Sequence, residues 1–320
     1  MTPAAVHRLE PAPPPGAPIR LGASRATASR DAAARRTVLP VESLGHLVPR
    51  TTLVGSVHSV FANACNLAVD GALLTVCAAT GARGPTTLRL AHHGVGDLRD
   101  RFAVGEPIAS HGGSIRSERI ELELAHARLW HPAAPRPALP RAQIERHLRS
   151  ARRLLERRRA CRRSGLDGDV ASAAAALAAA CRDVDLERAT RHAARLVGWG
   201  EGLTPAGDDF LVGLLAALAA LVGDDASRRE FHAALARAIA SLATTTTPIA
   251  AHLLRLAAAG HWAEPLCCLR DALLCGDDDA VHAAMQRALA VGASSGADTA
   301  SGLVAGITAW LPASSACEAA

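Results

Sequence analysis

The pattern of hydrophobic and polar positions divides the chain into two parts. In the first, short alternating or apolar runs are separated by Gly and Pro. They predict strands at 52–61, 72–79, 86–91, 106–111 and 119–124. Residues 119–124 alternate with the period of two that is typical of a half-buried strand. Strands at this spacing predict a β-rich unit, either a small barrel or a sandwich.

From Arg141 onward, the apolar positions recur at helical spacing instead. The pattern predicts helices at 141–163, 169–182, 184–197, 208–222, 226–242, 248–259, 263–275, 278–290 and 298–311. Asp183 and the pair Asp224 and Asp225 stand where helix N-caps are expected. The predicted fold class is therefore α+β, with an N-terminal β-rich unit followed by a helical domain.

Composition predicts where these parts begin and end. Residues 1–40 are rich in Pro, Ala and Arg without periodicity, which predicts a disordered N-terminal extension. The β-rich unit then occupies 41–132 and a Pro-rich linker occupies 133–140. The helical domain, with Gly-rich site loops, covers 141–313.

The missing residue types limit the chemistry. The 320 residues are 49% hydrophobic, enough for a large core, but they include no Tyr and no Lys, so all 35 basic residues are Arg. This excludes a P-loop lysine, a Schiff base, a Ser-Lys dyad and a phenolic acid or base. Arg, His, backbone N–H groups or a metal ion must therefore stabilise any substrate charge.

Charge does not indicate a nucleic-acid partner. Of the net charge of +5, residues 1–40 supply +4, since they hold six Arg against Glu10 and Asp31. The predicted helix at 141–163 holds ten Arg, and an RNA-binding or acidic-partner surface is one interpretation. No aromatic side chains interrupt it to stack on bases, so we interpret it as a solvated amphipathic helix.

Cysteine usage and hydropathy predict the compartment. The eight Cys form no C-x-x-C motif and no cluster with zinc spacing. The longest apolar run, Phe210 to Val222, is too short to span a bilayer, and the first residues lack the apolar core of a signal peptide. We therefore expect a cytoplasmic protein with reduced thiols and no membrane partner.

The strongest signal for a functional site is the segment GWGEGLTPAGDDFLVG at 198–213. Its glycines allow positive φ and close approach of a ligand to the backbone, and it leads into a helix N-terminus that favours anions. We expect four residues to hold an anionic or phosphate-bearing group, and these are Gly200, Gly202, Thr204 and Gly207. Asp208 and Asp209 then either bind Mg²⁺, the one cofactor considered, or hold the nitrogen of a substrate amide or amine. A helix cap alone would need one Asp and one Gly, not this whole set.

A second segment repeats this pattern. Residues 296–302 have the form G-x-D-x-x-x-G, as do residues 207–213. The two Gly-Asp turns either converge on one site or match by coincidence in a sequence rich in Gly and Ala. Convergence would add Ser294, Ser295, Gly296 and the acidic Asp298 to the site. Thr246 and Thr247 precede another helix, where they either bind phosphate or cap the helix with Pro248 at its first position.

These two strings, GWGEGLTPAGDDFLVG and GASSGADTASG, resemble the signature of the AllH-type family, subunits of oxamate carbamoyltransferase. The likeness extends over roughly 45–312 and is most specific in the first string. It implies an enzyme of anaerobic allantoin degradation that interconverts oxalurate plus phosphate with oxamate plus carbamoyl phosphate. It also implies a hetero-oligomer with two further subunits. As our first hypothesis for such an enzyme, we expect catalytic roles for Asp208, Asp209 and Asp298.

Two other functions fit the same residues. One is a non-catalytic subunit for ligand sensing or assembly, since the Gly-rich loop contains no His to act as a general base. The other is a Mg²⁺-dependent hydrolase of the ADP-ribosylglycohydrolase type, which also places Gly-Asp turns at helix starts. The β-rich N-terminal unit disfavours the hydrolase.

Overall fold

A computed structural model describes residues 36–91, 96–133, 138–161 and 168–311 of the chain. The expected disordered extension falls outside these residues as far as residue 35, and so do residues 134–137 of the expected linker. All described residues belong to one compact unit. No helix among them is long and apolar enough to cross a membrane.

The N-terminal part is a closed β-barrel. Its strands are β1 (Thr37–Gly45), β2 (Val54–Val60), β3 (Ala64–Val69), β4 (Ala72–Cys77), β5 (Thr87–Leu90), β6 (Pro107–His111), β7 (Ser114–Arg116), β8 (Ile120–Glu123) and β9 (Arg128–Trp130). They are hydrogen-bonded in the order β5-β4-β3-β2-β6-β7-β8-β1-β9. Because β1 also pairs with β5, the first eight strands form a ring, and β9 pairs in parallel with the end of β1. Of the two architectures expected for this unit, the barrel is confirmed.

The barrel interior follows from residue alternation. Cys65, Leu67 and Val69 of β3 point inward together with Ile120 and Leu122 of β8, and all five are buried. An eight-stranded barrel is just wide enough for such side chains to fill it.

The strand β1 begins four residues before the predicted start of the β-rich unit. Leu39 is buried in the barrel core, which explains why residues 37–40 join the barrel rather than the extension. Four strands, β1, β3, β7 and β9, were not predicted. Two of them contain only three residues, and β3 is interrupted by the polar Asn66.

The helical domain follows the predicted order. Its helices are α1 (Arg141–Cys161), α2 (Asp169–Arg182), α3 (Leu186–Leu196), α4 (Ala206–Leu221), α5 (Ala226–Leu242), α6 (Pro248–Ala258), α7 (Glu264–Cys275), α8 (Asp278–Leu289) and α9 (Ser295–Trp310). The observed bounds lie within three residues of the predicted ones. The α+β fold class is confirmed.

Helices α4 and α9 form the centre of this domain. They are apolar on nearly all sides and are flanked by two apolar clusters, one with α2, α3, α5 and α6 and the other with α1, α7 and α8. A Cβ on Gly213 would lie 1.9 Å from the carbonyl oxygen of Thr299, and one on Gly302 would lie 1.9 Å from that of Phe210. Gly306, four residues after Gly302, meets Leu214 and Ala217, which follow Phe210 in α4. The two helices therefore run in the same direction in close contact, and both begin at the same end.

Candidate functional site

The Gly-rich loop is folded by its glycines and by one buried carboxylate. Gly198, Gly200 and Gly202 have φ of +73°, +116° and +89°, a region that side chains rarely adopt. Gly200 packs so closely on the backbone nitrogen of Ala206 that a Cβ there would lie 2.6 Å away. The loop therefore folds back over the start of α4.

Asp208 holds this loop in place. Its Oδ1 accepts a hydrogen bond of 3.0 Å from the Gly198 N–H, and its Oδ2 accepts one of 2.5 Å from the Thr246 hydroxyl. Only 2% of the residue is exposed. Burial raises the pKa of Asp208, and the two hydrogen bonds counteract part of that increase. Both oxygens of Asp208 are thus engaged by the protein.

Asp209 and Asp298 meet at the common end of α4 and α9. They are 4% and 1% exposed, and the charge of Asp298 acts directly on Asp209. The pKa of Asp209 is raised well above its ordinary value, mainly by burial and then by Asp298. Hydrogen bonding from Ser295 and Thr204 opposes this shift. The two Gly-Asp turns therefore converge, with the same offset of 89 residues (298 − 209) that separates Gly302 from Gly213.

The first turns of both helices are closed to an anion. The Gly207 N–H donates to the Trp199 carbonyl at 2.9 Å, and the Gly296 N–H donates to the Val291 carbonyl at 3.0 Å. The expected role of these two N–H groups in binding an anion is therefore not supported. Ser294 is at the N-cap of α9, but its side chain makes no capping bond.

The two threonines before α6 are also engaged. Thr246 is bound to Asp208, as described above, and the Thr247 hydroxyl donates to the Leu203 carbonyl at 2.5 Å. Thr247 also accepts from the Ala250 N–H, as an N-cap followed by Pro248. The capping interpretation is confirmed for Thr247. Of the anion-binding groups expected in the loop, the N–H groups of Gly200 and Gly202 make no backbone hydrogen bond within the described residues.

A cavity of about 200 Å³ lies beside Asp209. It is bounded by the barrel, by α6, by the α6–α7 connection and by the start of α9. Its lining is mostly apolar, and its polar residues are Thr75, Thr86, Thr87, Asp209, His252, His261, Ser295 and Thr299. Small-molecule sites commonly combine an apolar wall with a few polar groups in this way.

His252 is held as a neutral imidazole in this wall. The Leu73 N–H donates to its Nδ1 at 3.4 Å, so the proton is on Nε2, which lies 3.2 Å from the Thr86 hydroxyl. Burial and the charge of Arg255 lower its pKa. No sequence pattern predicts His252 or the barrel threonines as site residues, because only the packing of the barrel on α6 brings them to Asp209.

The described residues do not include a cluster of the usual metal-binding side chains. In the part of the chain that the structure describes, no group of three or more His, Cys, Asp or Glu residues is placed to hold a metal ion. The expected Mg²⁺ ligand Asp208 already accepts two protein hydrogen bonds. Nearby, His46 lies 3.2 Å from His261 and stacks on His131, but this cluster is not placed to hold an ion either.

Comparison with known proteins places the chain in one family. The model of the AllH family N-terminal domain matches residues 33–129, which contain almost the whole barrel. The model described as oxamate carbamoyltransferase subunit AllH matches residues 196–307, which include both Gly-Asp turns. No curated protein and no solved structure matches the chain. The chain therefore belongs to the AllH family, the family of an oxamate carbamoyltransferase subunit.

Proposed function

We propose that this subunit binds the oxamate-type substrate of the carbamoyltransferase at the common end of α4 and α9. The observation that carries the proposal is the position of Asp209. Asp209 lines the cavity, and its Oδ2 is buried without a hydrogen-bond partner among the described residues. A buried acceptor in this state is suited to a ligand that brings an N–H donor.

In this proposal, Asp209 takes the nitrogen of oxamate. That nitrogen attacks the carbonyl carbon of carbamoyl phosphate, the bond from this carbon to the phosphate oxygen breaks, and oxalurate and phosphate are released. The nitrogen must lose a proton in this step, and an ionised Asp209 within hydrogen-bonding reach would accept it. A carboxylate with a raised pKa is a stronger base than an exposed one, which favours this role.

The remaining predicted residues have supporting roles. Asp208 fixes the loop, Asp298 raises the basicity of Asp209, and Ser295 and Thr204 orient its carboxylate. The N–H groups of Gly200 and Gly202 would hold the carboxylate end of oxamate. Carbamoyl phosphate, a cytoplasmic setting and two further subunits belong to the same proposal.

A binding subunit without catalytic groups is the second candidate. It is favoured by the cavity lining, which includes no Arg among the described residues to stabilise a leaving phosphate. In that case the catalytic cations belong to another subunit. We do not propose the hydrolase, because the described residues contain no group placed to hold Mg²⁺.

Calorimetry tests the proposal. We expect oxamate to bind the wild type equally well with and without Mg²⁺, and Asp209→Asn to weaken binding at least about tenfold through loss of one charged hydrogen bond. Asp279→Asn is the matched control, because Asp279 is an exposed acid in the first turn of another helix. Equal binding by Asp209→Asn and the wild type, or no binding of oxamate at all, would contradict the proposal. Turnover by the assembled enzyme then separates the two candidates. Asp209→Asn should lower kcat if Asp209 is catalytic, and should raise only KM if the subunit binds substrate without taking part in the reaction.

A further inference from the structure

Two residues that line the cavity each have a buried polar atom, of opposite kind, without a hydrogen-bond partner among the described residues. One is the acceptor Asp209 Oδ2 and the other is the donor Nε1 of Trp262, and both residues line the cavity. Buried polar groups almost always have a partner in a folded protein, so an unmatched donor and an unmatched acceptor beside one cavity call for an explanation. The Trp262 ring is also held in place, since the Arg270 guanidinium lies 5.9 Å from its centroid.

The rest of the wall does not compensate a negative charge. No Arg lines the cavity among the described residues. Of its two histidines, His252 accepts a hydrogen bond from the Leu73 N–H through Nδ1, and His261 is hydrogen-bonded to His46. Asp298 adds a second carboxyl group behind Asp209. An anionic group placed here would lose its hydration without gaining a cation as a partner. A neutral polar group has a much smaller hydration energy to lose and needs only hydrogen bonds in return.

We propose that the cavity binds a neutral carboxamide group, whose N–H donates to Asp209 Oδ2 and whose carbonyl oxygen accepts from Trp262 Nε1. A carboxamide carries both partners on adjacent atoms, whereas a carboxylate has no donor for Asp209 and would bring a charge beside it. Trp262 thus becomes a specificity-determining residue that distinguishes an amide from an acid. This inference rests on the proposed function and adds the residue that selects the substrate. In it, the carboxylate end of oxamate lies outside the cavity.

Ligand pairs test this proposal. Calorimetry compares oxamate with oxalate, which has the same size but lacks the N–H donors, and includes malonamate as a second carboxamide. We expect oxalate to bind at least about 100-fold more weakly than oxamate, since a site built around a hydrogen bond rejects an analogue that cannot form it. Trp262→Phe removes the N–H but retains an aromatic ring, and should weaken oxamate and malonamate about tenfold without changing oxalate. Trp310→Phe is the control, because the buried Trp310 N–H donates to the Cys181 carbonyl, away from the cavity.

A second measurement does not depend on the stability of a variant. The indole N–H resonance of Trp262, assigned in the wild-type protein by triple-resonance NMR, should shift on addition of oxamate but not of oxalate. Equal affinity for oxamate and oxalate, or full affinity in Trp262→Phe, would overturn the inference.

The two proposals fail in different ways. If oxamate binding depends on Asp209 but not on Trp262, the proposed function stands and the carboxamide pocket does not. If malonamate binds through Trp262 while oxamate does not bind, the pocket stands and the proposed substrate is wrong. If no carboxamide binds, both are wrong.

Discussion

The crossing of α4 and α9 leaves no room for a side chain at either of its reciprocal glycines. In Gly213→Ala, the new Cβ would lie 1.9 Å from the Thr299 carbonyl oxygen. Restoring a contact of 3.0 Å requires the helices to separate by about 1.1 Å (3.0 − 1.9), because the obstacle is backbone and cannot rotate away. Overpacking of this kind costs about 1–3 kcal/mol or more. The higher helix propensity of Ala returns about 1 kcal/mol.

The obstacle is a backbone atom, so the upper end of that cost applies. After the gain in helix propensity, we expect Gly213→Ala and Gly302→Ala each to lower the free energy of unfolding by about 2 kcal/mol or more, measured by urea denaturation. Gly306→Ala is a milder variant on the same face of α9 and serves as the control. Its Cβ would meet the Ala217 side chain at 2.6 Å and no backbone atom closer than 3.1 Å, so it should cost less. Gly213→Ala and Gly302→Ala, the two severe variants, should also weaken oxamate binding, because the displaced helices carry Asp209 and Asp298. If either severe variant is as stable as the wild type, or Gly306→Ala is the most destabilised of the three, the backbone contact does not hold this crossing together.

Three further predictions concern single side chains. Asp208→Ala leaves the Gly198 N–H and a threonine hydroxyl without their acceptor, and should lower the free energy of unfolding by about 2–4 kcal/mol in urea, whereas the exposed control Asp279→Ala should change it by less than about 1 kcal/mol. The raised pKa of Asp209 makes the folded state bind a proton more tightly than the unfolded one, so wild-type stability should fall as pH rises above the ordinary value of 3.8 towards the folded pKa. Asp209→Asn should therefore gain stability relative to the wild type in urea titrations between pH 5 and 8, and a constant difference would contradict this. Burial raises the pKa of Cys181 to about 12, so alkylation followed by peptide mapping should label it only after unfolding, and after the half-buried Cys268.

Local patterns account for what the sequence predicted well. The helices of the second half were predicted to within three residues because their apolar spacing and their caps lie within each segment. The predicted N-cap Asp225 accepts a hydrogen bond from the Arg228 N–H. The prediction for Asp183 was wrong by two residues, because Asp183 ends α2 and Asp185 caps α3. The repeated G-x-D-x-x-x-G pattern also indicated that the two Gly-Asp turns converge. The sequence left coincidence open as an alternative, and the crossing of α4 and α9 excludes it.

Non-local pairing accounts for what was missed. Strand β1 pairs with β5, β8 and β9, which lie 40 to 90 residues away, and its first residues carry no alternation strong enough to separate them from the preceding Pro- and Arg-rich segment. The strands β7 and β9 have three residues each, which is too short for a period of two to be recognised.

The sequence by itself determined the α+β class, the positions of the helices and the two Gly-Asp turns, because each depends on neighbouring residues. Only the tertiary structure decided what each aspartate contacts. Asp208 and Asp209 are adjacent in the chain, but successive side chains on a helix point in different directions. Asp208 therefore meets Gly198 and Thr246, while Asp209 meets the start of α9 and the cavity. The cavity is likewise a product of packing, since its polar groups come from the barrel, α6 and the connection that contains Trp262, segments that no local pattern brings together.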